Sequence, residues 1–204
     1  LKNNKNLLPL RTDQTILVTG SGADYISQQT GGWTLSWQGT GNTNEHFPNG
    51  TSIWEGLRSA IEAGGGTAVL SMDGSYRHTP DVAIVVFGES PYAEFKGDVD
   101  NLNFASNEAL QLLQSFQAAE IPTVAIFLSG RPLWVTPEIN AADAFVAAWL
   151  PGSAGTGIAD VLLRKPNGAI NFDFKGKLSF SWPRTATQTT HGHNNEPLFS
   201  YGYG

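Results

Sequence analysis

The most constraining feature of the sequence is the nearly uninterrupted apolar run DVAIVVFG at residues 81–88. Side chains of a β-strand alternate between the two faces of its sheet, so a run of this kind requires cover on both faces. Parallel sheets with helices on both faces supply that cover. The run therefore predicts a strand of a parallel sheet in an α/β fold.

Other segments predict an alternation of strands and helices around this run. Helical spacing of apolar residues begins near Thr51 and stops at Gly64, begins again near Ser106, and returns at 157–164. The order predicts a doubly wound α/β sheet, a three-layer αβα sandwich forming one domain over residues 1–204. The other predicted strands are 15–20, 67–72, 123–129 and 144–150, with 177–182 as a candidate edge strand.

The loops that follow the predicted strands are the expected location of a functional site. In an open parallel sheet, ligands bind beyond the carboxyl ends of the strands. Residues 21–50 show no clear period and predict a long surface loop, which in a compact domain is usually functional. The loops expected to share this edge are 20–50, 88–105, 129–135 and 150–156.

Composition excludes several classes of protein. The formal net charge is -6 and basic residues form no run, which argues against a nucleic-acid partner. No apolar run approaches the ~20 residues of a membrane span, so no membrane partner is expected. Cysteine is absent, which excludes disulfides and thiolate metal sites. The chain opens on Leu1, so the lack of a signal peptide says little about export.

Two glycines after the first predicted strand suggest a nucleotide site that the rest of the motif does not support. Gly20 and Gly22 lie in VTGSGADY, but the third glycine position of the dinucleotide fingerprint holds Tyr25, whose ring would block close helix–strand contact. No helix clearly follows, and no second strand ends in an acidic residue at the expected spacing. The segment is therefore interpreted as a strand-to-loop turn.

Two loops carry side chains suited to a sugar ligand. GGWTLSWQG at 31–39 contains Trp33 and Trp37, whose flat rings can stack on sugars, although both could instead fill a core below the loop. GESPYAEFKGD at 88–98 contains Glu89, Glu94 and Asp98, which can orient hydroxyls or transfer protons, or form a solvated acidic loop.

Three further features favour structural roles. Arg131, in SGRP, is expected to hold a carboxylate of a neighbouring loop. His191 and His193 form a His-x-His pair without further ligands in a tail-like segment, so no metal is expected. Ser129 and Ser153 have no evident histidine partner, and a serine-nucleophile triad has no support.

Seven motifs resemble, in order and over essentially the whole chain, the second domain of glycoside hydrolase family 3, and most of all its exo-acting β-glucosidases and β-glucan glucohydrolases. They are KNNKNLLPL, GGWTLSWQG, VVFGESPYAE, SGRPLWV, AFVAAWLPGSAGTGIADVL, GKLSFSWP and PLFSYGYG. The resemblance implies an N-terminal (β/α)8 barrel, absent from this chain, as partner of an α/β sandwich. It also implies a retaining hydrolase of terminal β-D-glucosyl residues, without cofactor, in which an aspartate of the barrel is the nucleophile.

Ala154 stands at the position of the family's general acid/base. In the members that the chain resembles most, this residue is a glutamate in a Pro-Gly-Thr-Glu-Gly loop, which corresponds here to residues 151–155. An alanine can neither protonate a leaving alkoxide nor activate water. Three explanations remain: an engineered knockout, which the well-kept surroundings favour, a natural non-catalytic homologue, or another acid, with Glu89 and Glu94 as candidates.

The resemblance assigns roles to the other site residues. Trp37 matches the tryptophan that lines one side of the aglycone subsite, Trp33 is its expected support, and Glu94 belongs to the cleft wall. The expected ligands are β-glucan oligosaccharides or β-glucosides, and the expected location is periplasmic or secreted. The alternative is a non-catalytic carbohydrate-binding or scaffolding domain.

Overall fold

A computed structural model describes residues 2–189 and 196–204 and places six strands in one sheet, in the order β1-β6-β5-β4-β2-β3. Strands β2 to β6 are parallel, and the two-residue β1 pairs antiparallel with β6 at one edge. The five parallel strands follow a doubly wound order that reverses direction between β2 and β4. The strand bounds are β1 Lys2–Asn3, β2 Thr15–Thr19, β3 Thr67–Leu70, β4 Val82–Gly88, β5 Thr123–Leu128 and β6 Ala144–Trp149.

Two hydrophobic cores lie on opposite faces of this sheet, as the run at 81–88 predicts. The helices are α1 Ile26–Thr30, α2 Ile53–Ala63, α3 Glu108–Ala118, α4 Thr136–Ala141 and α5 Gly155–Leu162. Alternate residues of β4 enter different cores: Ile84 packs beside helices α2 and α5, whereas Val85 packs beside α3 and α4. All apolar side chains of β4 are therefore buried.

Helix α2 shows how local sequence signals mark the start and the end of a helix. Ser52 and Glu55 form a capping box, in which each side chain accepts a hydrogen bond from the other residue's backbone N–H. Ile53, Leu57 and Ile61 form a fully buried stripe on one face. The helix ends at Ala63, directly before the predicted stop at Gly64.

The structure corrects three expectations about local structure. Residues 21–50 are not only a surface loop, since α1 lies within them and Ser27, Gln28 and Gln29 are buried. A helix therefore does follow the turn at Gly20 and Gly22. The predicted edge strand at 177–182 is absent: this segment is irregular, with a single bridge between Trp182 and Phe199.

Within the described ranges, every helix is too short or too polar to cross a lipid bilayer.

Candidate functional site

The loop that carries Ala154 is fixed by its own main chain. Ala154 is exposed and directly precedes α5. On one side of it the Ser153 carbonyl accepts a hydrogen bond from the Thr51 N–H (2.8 Å), and on the other side the Gly155 N–H donates to the Thr51 carbonyl (2.9 Å). The backbone at position 154 is thus bonded in place, whereas its side chain faces solvent.

Gln29 joins this loop to two helices. It is fully buried, and its amide nitrogen donates to the carbonyls of Gly152 (2.8 Å) and Thr51 (3.3 Å). Its side-chain oxygen accepts from the N–H of Ile53 (2.8 Å), the first residue of α2, and its backbone carbonyl accepts from the Gly152 N–H (3.0 Å). Gln29 therefore adds to the Thr51 bonds in holding the 151–155 loop in position.

Three aromatic rings lie together on the surface beside the carboxyl end of the sheet. Trp33, Trp37 and Phe95, here called the aromatic surface, are 70%, 46% and 75% exposed. The ring centroids of Trp33 and Trp37 are 6.2 Å apart and those of Trp37 and Phe95 are 5.8 Å apart. The alternative in which both tryptophans fill a core below their loop is therefore wrong.

Glu94 holds the Trp37 ring in position. The indole N–H of Trp37 donates to a carboxylate oxygen of Glu94 at 2.8 Å, and this bond lowers the pKa of Glu94. The Gln38 amide nitrogen donates to the Glu94 carbonyl (2.9 Å), while the Gln38 amide oxygen accepts from the Ala93 N–H (2.8 Å). The two loops that sequence analysis singled out thus form one unit, and Glu94 is ionised within it.

Bulky residues of this region adopt a backbone conformation that L-residues rarely take. Trp33, Leu35, Phe95 and Trp149 have φ between 56° and 72°, in the left-handed region. Such residues cost of order 1–3 kcal/mol each and concentrate at binding and catalytic sites. The strain lies on the loops after β2 and β4 and at the end of β6.

Arg131 forms the predicted ion pair with a neighbouring loop. Its guanidinium donates from Nε (3.0 Å) and Nη2 (2.7 Å) to one carboxylate oxygen of Glu89, and the other oxygen accepts from the Ser129 hydroxyl at 2.7 Å. Both Glu89 oxygens are therefore engaged. Arg131 also donates to the Gly97 carbonyl (2.6 Å), which fixes the far end of the 89–98 loop.

A small cavity of about 120 Å³ lies between this ion pair and the loop after β6. Tyr92 lines it under the Arg131 guanidinium, whose central carbon is 4.5 Å from the ring centroid. Burial, reinforced by the Glu89 carboxylate, raises the pKa of Tyr92 to about 12, so its phenol stays protonated. The Tyr92–Arg131 contact and the Arg131–Glu89 ion pair thus hold the loops after β4 and β5 together.

A larger cavity, of about 610 Å³, lies at the switch point of the sheet between β2 and β4, apart from the aromatic surface and Ala154. Among the described residues, its lining includes Gly20, Asp73 and Glu108 but neither lysine nor arginine. Two carboxylates without a cation would repel a pyrophosphate. Gly20, at φ 93°, instead packs against the Val86 carbonyl, which agrees with the interpretation as a turn.

Some of these residues were predictable from the sequence and others were not. His191 and His193 lie outside the described residues, and the described part contains no group of three potential metal-ligating side chains. Gln29 and Phe95 were missed. Gln29 lies in a polar stretch, where the sequence does not indicate that a side chain is buried. Phe95 is a single phenylalanine, and the sequence does not indicate that its ring is exposed. Only the three-dimensional contacts reveal the roles of these two residues.

Comparisons with known proteins agree on one family. The family model described as the glycosyl hydrolase family 3 C-terminal domain matches residues 1–204. The chain is 34% identical to a lysosomal beta glucosidase of Dictyostelium discoideum and 26% identical to a periplasmic beta-glucosidase of Salmonella typhimurium. Both alignments cover 100% of this chain but only 27% and 32% of the relatives.

A solved structure gives the same result. The exo-1,3/1,4-beta-glucanase of a Pseudoalteromonas species superimposes with a TM-score of 0.96 at 55% sequence identity. That match covers 100% of this chain and 26% of the other. The chain therefore spans about a quarter to a third of the length of these relatives.

Proposed function

Because the chain belongs to the family of glycosyl hydrolase family 3 C-terminal domains, we propose that it completes the sugar-binding cleft of a retaining β-glucosidase or exo-β-glucanase. In this proposal a (β/α)8 barrel supplies the nucleophilic aspartate, which attacks the anomeric carbon. The present chain supplies Trp37 to the aglycone subsite. It also supplies position 154, where a glutamate would protonate the leaving oxygen and later activate water.

The observation that carries the proposal is the contrast between the fixed backbone and the exposed side chain at position 154. Hydrogen bonds of Ser153 and Gly155 to Thr51 hold the main chain on both sides. A longer side chain there would start from a defined point and would not be buried within this domain, so its carboxyl group could reach a sugar bound against the barrel. Ala154 is then the site of an acid/base that this chain lacks.

The alternative acids are less suited to the role. Both carboxylate oxygens of Glu89 are engaged, by Arg131 and by Ser129. The hydrogen bond from Trp37 lowers the pKa of Glu94, which favours the ionised form, whereas a general acid must hold a proton near the working pH. Position 154 therefore remains the preferred site.

The test is to restore the missing acid. With the chain joined to its barrel, Ala154→Glu should raise kcat on an unactivated β-glucoside by about 10²–10⁴, because general acid–base catalysis is restored. With Ala154 present, an aryl β-glucoside with a good leaving group should give a burst of product and then stall. Azide, which needs no general base, should speed the release of the trapped glucosyl group.

Two controls make the result specific. Ser153→Glu places the same carboxylate one exposed position earlier and should give no comparable gain. The 204-residue chain alone, which lacks the nucleophile, should not hydrolyse the substrate. Full activity with Ala154 and no response to azide would instead indicate Glu89 or Glu94, and turnover by the chain alone would contradict the composite site.

A non-catalytic carbohydrate-binding domain is the second candidate, favoured by the exposure of Trp33 and Trp37. Calorimetry of the chain alone with oligoglucans separates the two functions. Tight binding that Trp37→Ala abolishes would support the binding domain, whereas half of a composite cleft should bind weakly or not at all.

We also propose a periplasmic or secreted location, supported by a relative named as periplasmic and one named as lysosomal.

A further inference from the structure

We infer that Phe95 forms a second sugar-binding position, which takes the glucosyl unit following the one on Trp37 in a β-glucan chain. The inference rests on the proposed function and extends it from a single aglycone unit to an oligosaccharide. Phe95 matches no assignment made from the sequence. It is the most exposed ring of the aromatic surface, at 75%, and lies one residue after Glu94, which fixes Trp37.

The angle between the rings argues for a separate sugar unit. The planes of Trp37 and Phe95 are 87° apart, with their centroids at 5.8 Å. A pyranose stacks with its flat C–H face parallel to an aromatic face, so one sugar ring cannot stack on the faces of two perpendicular rings at once. A ligand that uses both rings must therefore present two sugar units in succession.

The ionised carboxylate among the rings argues for a sugar rather than a protein surface as the occupant. Glu94 is exposed, and one of its oxygens accepts the Trp37 N–H, which leaves further lone pairs for hydroxyl donors. Charged residues are depleted from the core of protein–protein interfaces because their desolvation is costly. A carboxylate flanked by aromatic rings matches the alternating hydroxyl groups and C–H faces of a glucan.

The backbone of Phe95 supports a binding role. Its φ of 72° is strained for a phenylalanine, and the ring contributes little to the core, since three quarters of it is exposed. The surrounding loop nevertheless holds this conformation through the bonds of Gln38 to Ala93 and Glu94. Strain at an exposed aromatic residue that belongs to neither hydrophobic core indicates a function on the surface.

The test compares ligands that differ by one sugar. In the enzyme with the barrel attached and Ala154 in place, Kd is measured by calorimetry for laminaribiose and laminaritriose. Phe95→Ala should raise the Kd for laminaritriose about five- to tenfold and leave that for laminaribiose within about twofold. Alanine keeps the same left-handed strain as phenylalanine, so the comparison isolates the ring. Phe95→Tyr should retain the affinity.

Controls separate this inference from the proposed function. Phe172→Ala removes another exposed phenylalanine, 58% exposed, and should change neither Kd. Equal effects of Phe95→Ala on both ligands, or none on either, would overturn the second position, while Trp37-dependent binding of laminaribiose would leave the proposed function intact. Absence of binding for both sugars in the parent enzyme would overturn both proposals.

Discussion

At the scale of single residues, Gln29 connects the loop that carries Ala154 to helices α1 and α2. Its side-chain nitrogen donates hydrogen bonds to carbonyls of two loops, and its side-chain oxygen accepts one from the N–H of the first residue of α2. The residue is completely buried. A buried amide with its hydrogen bonds satisfied fixes one arrangement of the chain, because each alternative leaves a polar group unpaired. The position of residue 154 therefore depends on a side chain far earlier in the sequence.

We expect Gln29→Leu to lower the free energy of unfolding by about 1–3 kcal/mol. Leucine keeps much of the volume but leaves the buried Ile53 N–H without an acceptor. Urea unfolding followed by far-UV circular dichroism measures the change. Gln114→Leu, at an exposed position of α3, is the matched control and should stay within about 0.5 kcal/mol. Equal effects of the two substitutions would show that the hydrogen bonds of Gln29 contribute little.

At the scale of elements, helices α2 and α5 pack closely at a pair of glycines. A Cβ added at Gly56 would lie 2.7 Å from the backbone of Gly155, closer than side-chain carbons approach any backbone atom. The same contact places the start of α5, and with it position 154, against α2. Small residues at both positions are thus a requirement of the helix packing.

We expect Gly56→Ala to lower the free energy of unfolding by about 1–3 kcal/mol, because the added methyl group pushes the helices apart. Gly157→Ala adds the same methyl group to α5, at a position where the new Cβ would have no described atom within 4 Å outside its own stretch of helix. Alanine has the higher helix propensity, so this control should raise stability by about 0.5–1 kcal/mol. The midpoints of denaturant unfolding measure both changes, and opposite signs are the expected result.

The strands and helices were predictable where the pattern of apolar residues extends over many consecutive positions. The five parallel strands and the three longer helices follow from apolar runs and helical spacing, with errors of a few residues at their ends. The two-residue β1 was missed because its pairing with β6 depends on a distant segment, and the six-residue α4 is too short to show a period. Helix α1 was missed because its polar side chains are buried by hydrogen bonds rather than by apolar packing.

The candidate site was predictable only through the resemblance. The spacing of residues in the sequence did not distinguish Trp37 and Glu94 from the other candidate site residues. It also assigned no role to Ala154. The hydrogen bond that joins Trp37 to Glu94 links residues 57 positions apart, and no local pattern encodes it. Conversely, the Arg131–Glu89 pair followed from simple chemistry, since an arginine and a carboxylate at the same edge of a sheet readily pair.

At the scale of the whole molecule, the pH dependence of folding stability should include a contribution from Glu138. This residue of α4 is only 4% exposed, and burial raises its pKa above the ordinary value near 4.5. A carboxyl group whose pKa is raised by folding favours the folded state in its protonated form. Its contribution is therefore most favourable below the unfolded pKa and declines as the pH rises through the folded pKa.

We expect the stabilisation by Glu138→Gln to grow as the pH rises through the folded-state pKa of Glu138, because the buried carboxyl group then becomes charged, and to be small below the unfolded pKa, where both side chains are neutral. Thermal unfolding of the parent and the variant across this pH range measures the difference. Glu120→Gln, the same exchange at an exposed position, is the control and should change the free energy of unfolding by no more than about 0.5 kcal/mol. A gain from Glu138→Gln that is equal at all pH values would contradict the role assigned to burial.

The backbone bonds between Thr51 and the residues on either side of Ala154 have a consequence for how such a domain can evolve. They do not involve the side chain at 154, and that side chain lies outside both cores. An exchange between alanine and glutamate at this position should therefore leave the fold undisturbed. Under the proposed function, domains with and without the acid/base can then differ by one substitution, and a lineage can pass between them in either direction without an unstable intermediate.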